Sequence, residues 1–203
     1  GSVFSPYYYR ARKEFGQAVD PRDFCAFNVA LYGCGRGQWA MTERDSQALE
    51  QHSERLRIGP SMLTWKDGKL YGEFDEETKP LPGRVQGRFR LMPQLGNSQT
   101  FFLDPTGRHR WHPLTPRARL EVELDSPKLS WQGQAYLDTN AGDEPLENGF
   151  IGWQWSQAAD SDGVTLIYDV QPRHSDAHVM AYRIEANRAP QPLELPTAVE
   201  LPK

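Results

Sequence analysis

The sequence predicts an all-β protein of antiparallel strands, a barrel or sandwich made of two similar β units, with at most one short helix. Three observations carry that expectation: apolar and polar residues alternate through one short run after another, Gly, Asp and Pro turns divide the runs, and a single stretch has helical composition.

The elements follow in order. VFSPYYY at 3–9 is an aromatic run with nothing before it to pair with, so a missing N-terminal strand is expected there. CAFNVALY at 25–32 alternates, GCGRG at 33–37 turns the chain, and QWAMTE at 38–43 returns it. SQALEQHSERL at 46–56, with Ser46 as N-cap, is the one candidate helix, set over a barrel mouth. TWKDGKLYGEF at 64–74 is a hairpin about Asp67-Gly68, and VQGRFRLM at 85–92, RLEVEL at 119–124, LSWQGQAYLD at 129–138 and WQWSQAADSDGVTLIYDV at 153–170 are further strands. From 189 the prolines at 190, 192, 196 and 202 favour an extended tail, so the ordered fold is expected to end near Asn187.

An internal echo suggests duplication. RLRIGPSMLTWKDGKLY at 55–71 resembles RLEVELDSPKLSWQGQAY at 119–136, with Trp65 corresponding to Trp131. The expected organisation is an N-terminal unit over 1–95, a C-terminal unit over 96–188 and a Pro-rich tail over 189–203, with the join near PQLGNSQ at 93–99.

Composition narrows the function classes. A chain of 203 residues with 38% hydrophobic and 25% charged residues has enough apolar matter for a core. Its net charge of −4 and scattered basic residues, densest in RVQGRFR at 84–90, argue against nucleic acid as a partner. Cys25 and Cys34 are the only cysteines and are expected as reduced, packed thiols. No stretch reaches the roughly 18 apolar residues of a membrane-spanning helix.

The chemistry concentrates in two i,i+2 pairs, His109 with Trp111 and Tyr136 with Asp138. Alternate side chains of a strand share a face, so pairing the two strands would gather an imidazole, an indole, a phenol and a carboxyl in one pocket. Such a set suits acid chemistry on an electron-rich apolar substrate. Trp153 and Trp155 likewise share a face and are candidates to line a lipid groove, with core packing the competing role. His112 must point away from the pocket. The acidic string Asp138, Asp143, Glu144 and Glu147 lacks calcium-loop spacing, and His174, Asp176 and His178 have no cysteine positioned to complete a zinc set, so no metal site is expected.

YLDTNAGDEPLENGFIGWQWS at 136–156, with GRHRWHPLTP at 107–116, VFSPYYYRAR at 3–12 and NVALYG at 28–33, resembles the carotenoid 1,2-hydratases, also called hydroxyneurosporene synthases. The likeness runs from about residue 3 to about residue 170. It implies a lipocalin-like or calycin-like fold of two β units, in a family whose members are longer than this chain. It also implies cofactor-independent addition of water to the terminal C1–C2 double bond of acyclic carotenoids such as neurosporene and lycopene. The family's functional residues carry over onto His109, Trp111, Tyr136 and Asp138, all present here.

The reaction itself states what such residues must do. Hydrating a trisubstituted alkene starts with a proton delivered to the less substituted carbon and leaves a tertiary cation for water to capture. Asp138, walled by Tyr136, Trp111 and the tryptophans at 153 and 155, is the expected proton donor, because apolar walls disfavour its charged form. Trp111 and Tyr136 would stabilise the cation through their ring faces. His109 would orient the water, accept its proton, or hydrogen-bond Asp138.

Other readings keep the same scaffold: a protein that binds a polyene without turning it over, or a related cyclase or isomerase that excludes water. A carotenoid is about as long as the ~30 Å apolar core of a bilayer, so the expected partner surface is the membrane, met peripherally from the cytoplasmic side, with FSPYYY at 4–9 as a contact patch. The sequence leaves the oligomeric state open.

Overall fold

The computed structural model describes residues 13–14, 20–33 and 37–195. Cys34, most of the GCGRG turn, the aromatic run at 3–9 and the tail from 196 lie outside the described residues. The chain is all-β and antiparallel, as expected. It divides into two units, the first holding the described residues up to Pro93 together with Arg119–Gln134, the second Gln94–Ala118 and Ala135 onward.

In the first unit β1 (Cys25–Leu31) and β2 (Gln38–Arg44) form a two-stranded ribbon, with Cys25 opposite Arg44 and Leu31 opposite Gln38. Cys25 is buried, and its thiol donates to the Arg22 carbonyl at 3.0 Å. The larger sheet then runs through β3 (Leu49–His52), β4 (Arg55–Ile58), β5 (Ser61–Lys66), β6 (Lys69–Glu77) and β7 (Arg84–Leu95). After the short β8 (Phe101–Phe102) come the long strands β9 (His109–Ser126) and β10 (Leu129–Gly142), and the sheet order is β10-β9-β7-β6-β5-β4-β3 with β8 paired to β9. Among the described residues these strands form an open sheet rather than a closed barrel.

Sequence explains the hairpins locally. Asp67 and Gly68 both take positive φ, 52° and 70°, the pair of angles a two-residue turn needs to match strand twist, so Lys66 pairs with Lys69 and Trp65 with Leu70. The unit's core gathers Phe27 and Ala40 of the ribbon with Phe74, Val85, Val122 and Leu124 of the sheet. Beneath it Glu76, 1% exposed, takes both guanidinium nitrogens of Arg44 at 3.1 and 2.8 Å and the Ser61 hydroxyl at 2.5 Å. The densest basic run is spent on carboxylates, Arg84 on Asp75, Arg88 on Glu123 and Arg90 on Glu121.

One expectation fails here for an identifiable reason. The helix over 46–56 is replaced by a 3-10 turn at Ser46–Ala48, capped by Asp45 rather than Ser46, followed by the β3–β4 hairpin. Leu49 and Leu56, seven apart, fit a helical face as well as a hairpin. Pairing decides, since Leu49 sits opposite Ile58, and β4 adds to β5 with Leu56 opposite Leu63. The two stretches of the internal echo both form hairpins, β4–β5 and β9–β10; residues 55–71 and 119–134 lie in the first unit and Tyr136 in the second. The echo's second turn has no counterpart, because β10 runs straight through Gly133.

The second unit contains β8, the first part of β9, the end of β10, the single-turn helix α1 (Leu146–Gly149), and a four-stranded sheet ordered β11 (Phe150–Ala159), β12 (Gly163–Pro172), β13 (His178–Glu185) and β14 (Gln191–Pro192). On β12, Val164, Leu166, Tyr168 and Val170 alternate inward and join Leu95, Phe101, Leu103, Trp111, Phe150 and Ile184 in its core. The tail expected from 189 thus opens with a strand: Tyr182 pairs with Pro192 and Arg183 with Gln191, and proline is tolerated there because β14 is an edge.

Candidate active site

The site is assembled from the start of β9 and the end of β10, both in the second unit. On β9 the odd-numbered His109, Trp111, Pro113 and Thr115 point into the core while Arg110, His112 and Leu114 are half-buried. The turn before β9 is fixed by Asp104, whose carboxylate accepts from the backbone of Thr106 at 2.9 Å, Arg108 at 3.3 Å and His109 at 2.8 Å, and from the Thr106 hydroxyl. Burial pushes the Asp104 carboxyl upward, but these hydrogen bonds outweigh it and hold it below the ordinary aspartate range. His112 points away as expected, with Nε2 3.0 Å from the Asn97 carbonyl.

Trp111, Tyr136 and Asp138 come together. The Trp111 indole N–H is shared between Asp138 Oδ2 at 2.9 Å and the Tyr136 hydroxyl at 3.1 Å, and the Tyr136 hydroxyl itself donates to Asp138 Oδ2 at 3.1 Å. Both donors meet the same oxygen. Asp138 Oδ1 therefore takes no hydrogen bond from the described residues.

Aromatic rings flank this cluster, in which Trp111 is buried and Tyr136 and Asp138 are half-buried. Trp111, 1% exposed, packs against Phe101 at 5.3 Å and edge-on to Tyr168 at 5.0 Å, while Tyr136 stacks on Trp155 at 4.7 Å. Burial first, and the Asp138 charge second, push the Tyr136 hydroxyl well above the ordinary tyrosine range, against the Trp111 hydrogen bond. The same two causes push Tyr168 up to about 12. Both phenols thus stay protonated at neutral pH, and Tyr136 is a donor rather than a base.

His109 stands apart from the trio. It is 2% exposed, its ring stacks on Phe150 at 4.6 Å, and neither nitrogen has a hydrogen-bond partner, so the expected option of a bond to Asp138 is not realised. Trp155, 38% exposed, touches the site through Tyr136, whereas Trp153, 49% exposed, contacts Phe150 instead. Phe101, Tyr168 and Phe150 carry no local signal of this role; they come from β8, β12 and β11 and meet Trp111 and His109 only through folding. Of the acidic string, Asp143 pairs with Arg110 at 2.7 Å and Glu144 with Arg108 at 2.9 Å.

The family model for carotenoid hydratase CrtC matches residues 1–203. The chain belongs to the carotenoid hydratase CrtC family. It is 46% identical over 202 residues to an acyclic carotenoid 1,2-hydratase of Thiocapsa roseopersicina, covering 100% of this chain and 49% of that one. An acyclic carotenoid 1,2-hydratase of Rubrivivax gelatinosus is 43% identical over 203 residues, 100% of this chain and 50% of its own. A third, from Cereibacter sphaeroides, is 36% identical over 189 residues, 92% and 65% respectively. The chain thus spans about half the length of the first two of these relatives. No solved structure matches it. As a carotenoid hydratase family member, the chain carries its HRW and YLD motifs on β9 and β10, where three of their side chains form one hydrogen-bonded cluster.

Proposed function

We propose that this protein adds water across the terminal C1–C2 double bond of an acyclic carotenoid, without a cofactor. The observation that carries the reading is the convergence of the Trp111 N–H and the Tyr136 O–H on Asp138 Oδ2 beside aromatic rings. Two donors on one oxygen fix the carboxyl plane, so the proton that Asp138 takes up to act as the acid sits on Oδ1. From there it transfers to C2 of the alkene, the Oδ1–H bond breaking as the C–H bond forms.

The positive charge then sits on tertiary C1. Ring faces of Tyr136 and Trp155 suit it, an interaction worth about 2 kcal/mol when desolvated. Trp111, covered by Phe101 and Tyr168, serves by fixing the acid rather than by touching the cation. Water bonds to C1 and gives up a proton, with His109 as the base, and proton return to Asp138 closes the cycle. The names carried by the relatives support the substrate class, neurosporene and lycopene among its members.

The substrate lives in membrane, so we place the protein peripherally on the cytoplasmic face. The exposed Trp153 and Trp155 on β11 are of the type that settles at a bilayer surface. Incubation with lycopene in liposomes made up in oxygen-18 water tests the reaction. A product heavier by one water, labelled in a tertiary hydroxyl, is expected. Lycopene recovered bound and unchanged would instead indicate a polyene-binding protein.

A further inference from the structure

We infer that Glu144 is a positioning residue for His109, holding the imidazole in the tautomer that carries its proton on Nε2 and leaves Nδ1 as the basic nitrogen. The inference rests on the hydration reading above and assigns how its base is set.

It starts from an anomaly. His109 is 2% exposed with both ring nitrogens lacking a hydrogen bond, a condition folded proteins seldom tolerate without a chemical use. The charged groups around it are otherwise committed. Asp104 accepts the His109 backbone N–H, Asp143 is held by Arg110 at 3.2 and 2.7 Å, and Arg108 is held by Glu144 Oε2 at 2.9 Å. The other Glu144 oxygen, Oε1, takes no hydrogen bond among the described residues and lies 3.8 Å from His109 Nε2. A closing shift of about 1 Å makes that contact a hydrogen bond.

The loop carrying Glu144 also fixes the ring. A Cβ at Gly149 would stand 2.7 Å from Nε2, so a side chain there must displace the imidazole, and the Phe150 ring flanks it at 4.6 Å. At Gly142 a Cβ would stand 3.4 Å from Nδ1 and 3.3 Å from the Glu144 carbonyl. Glycine there keeps a side chain off both Nδ1 and the Glu144 carbonyl.

The division of labour follows. A carboxylate facing Nε2 selects the N–H on that nitrogen and leaves the lone pair on Nδ1. As the water oxygen bonds to C1 its proton passes to Nδ1, and the imidazolium so formed is paired by Glu144. The proton then returns through solvent to Asp138, which lost its own to C2.

Nitrogen-15 NMR of the full chain labelled at histidine reads the tautomer directly. Expected is a proton on Nε2 in the parent, a mixture in Glu144→Ala, and recovery of the parent form in Glu144→Gln, whose amide oxygen still accepts. Gly149→Ala, which keeps Glu144 but pushes the ring away, is expected to give the mixture too and serves if Glu144→Ala does not fold. With lycopene, Glu144→Ala is expected to lower kcat about tenfold at unchanged KM, and Glu144→Gln to restore most of it. An unaltered Nε2 tautomer in Glu144→Ala and Gly149→Ala, or a proton on Nδ1 in the parent, overturns the inference. If the parent adds no water to lycopene, the hydration reading fails, and the NMR result still decides what Glu144 does.

Discussion

At the scale of single residues, Asp138 is where the proposed reaction is most exposed to test. Asp138→Asn keeps both incoming hydrogen bonds through its amide oxygen, so the fold is expected to survive while hydration falls by about a hundredfold or more. Unchanged turnover in that variant would remove Asp138 as the acid. Tyr136→Phe keeps the ring on Trp155 and loses one donor to the carboxyl, so its kcat is expected within about tenfold of the parent. Trp111→Ala acts differently: a ring 1% exposed and packed against Phe101 and Tyr168 leaves a cavity, and stability is expected to drop by about 3–5 kcal/mol in urea titrations. The i,i+2 spacing made three members of the cluster legible. The separation of His109 from it was not, because ring contacts with Phe150 and Gly149 depend on a loop whose path no local pattern encodes.

At the scale of elements, turn chemistry was the most readable signal and residue composition the least. Asp67-Gly68 announced its hairpin, whereas 46–56, rich in helix formers, became a hairpin because its neighbours offered strand edges. The turn into β9 offers a further test. Asp104 ties down three backbone N–H groups and the Thr106 hydroxyl, so Asp104→Ala is expected to cost about 1–3 kcal/mol and to impair turnover by loosening His109. Wild-type activity and melting in that variant would show that the strand needs no such brace. The Arg44–Glu76 pair between β2 and β6 lies in the other unit. Glu76→Ala strands a guanidinium 17% exposed and is expected to destabilise by about 3 kcal/mol without affecting an alkene site.

At the scale of the whole molecule, several carboxylates are held low. Hydrogen bonds from Arg22 lower Asp20 to about 2, those from Arg183 lower Asp160, and those from Arg84 lower Asp75. A depressed folded-state value means that the stabilisation is complete above the unfolded aspartate value near 4 and is lost as pH falls through the folded values. Urea midpoints are therefore expected to be flat from pH 7 to 5 and to fall between about pH 4 and 2. Because these groups are exposed, high salt should shrink the effect. A midpoint as high at pH 3 as at pH 7 would contradict this. What the sequence could not disclose at this scale is the grouping of 119–134 with the N-terminal strands, since chain order alone suggests consecutive halves.

Trp111 holds the proposed acid and, with Phe101 and Tyr168 packed on it, fills the second unit's core, so these rings are not free to vary for one purpose alone. Attempts to widen the range of polyenes accepted, by laboratory evolution or by design, should therefore stall at those rings through lost expression. Trp153 and Trp155, half in solvent on β11, lie outside that core. They are the positions at which new substrate preferences can be explored without dismantling the scaffold.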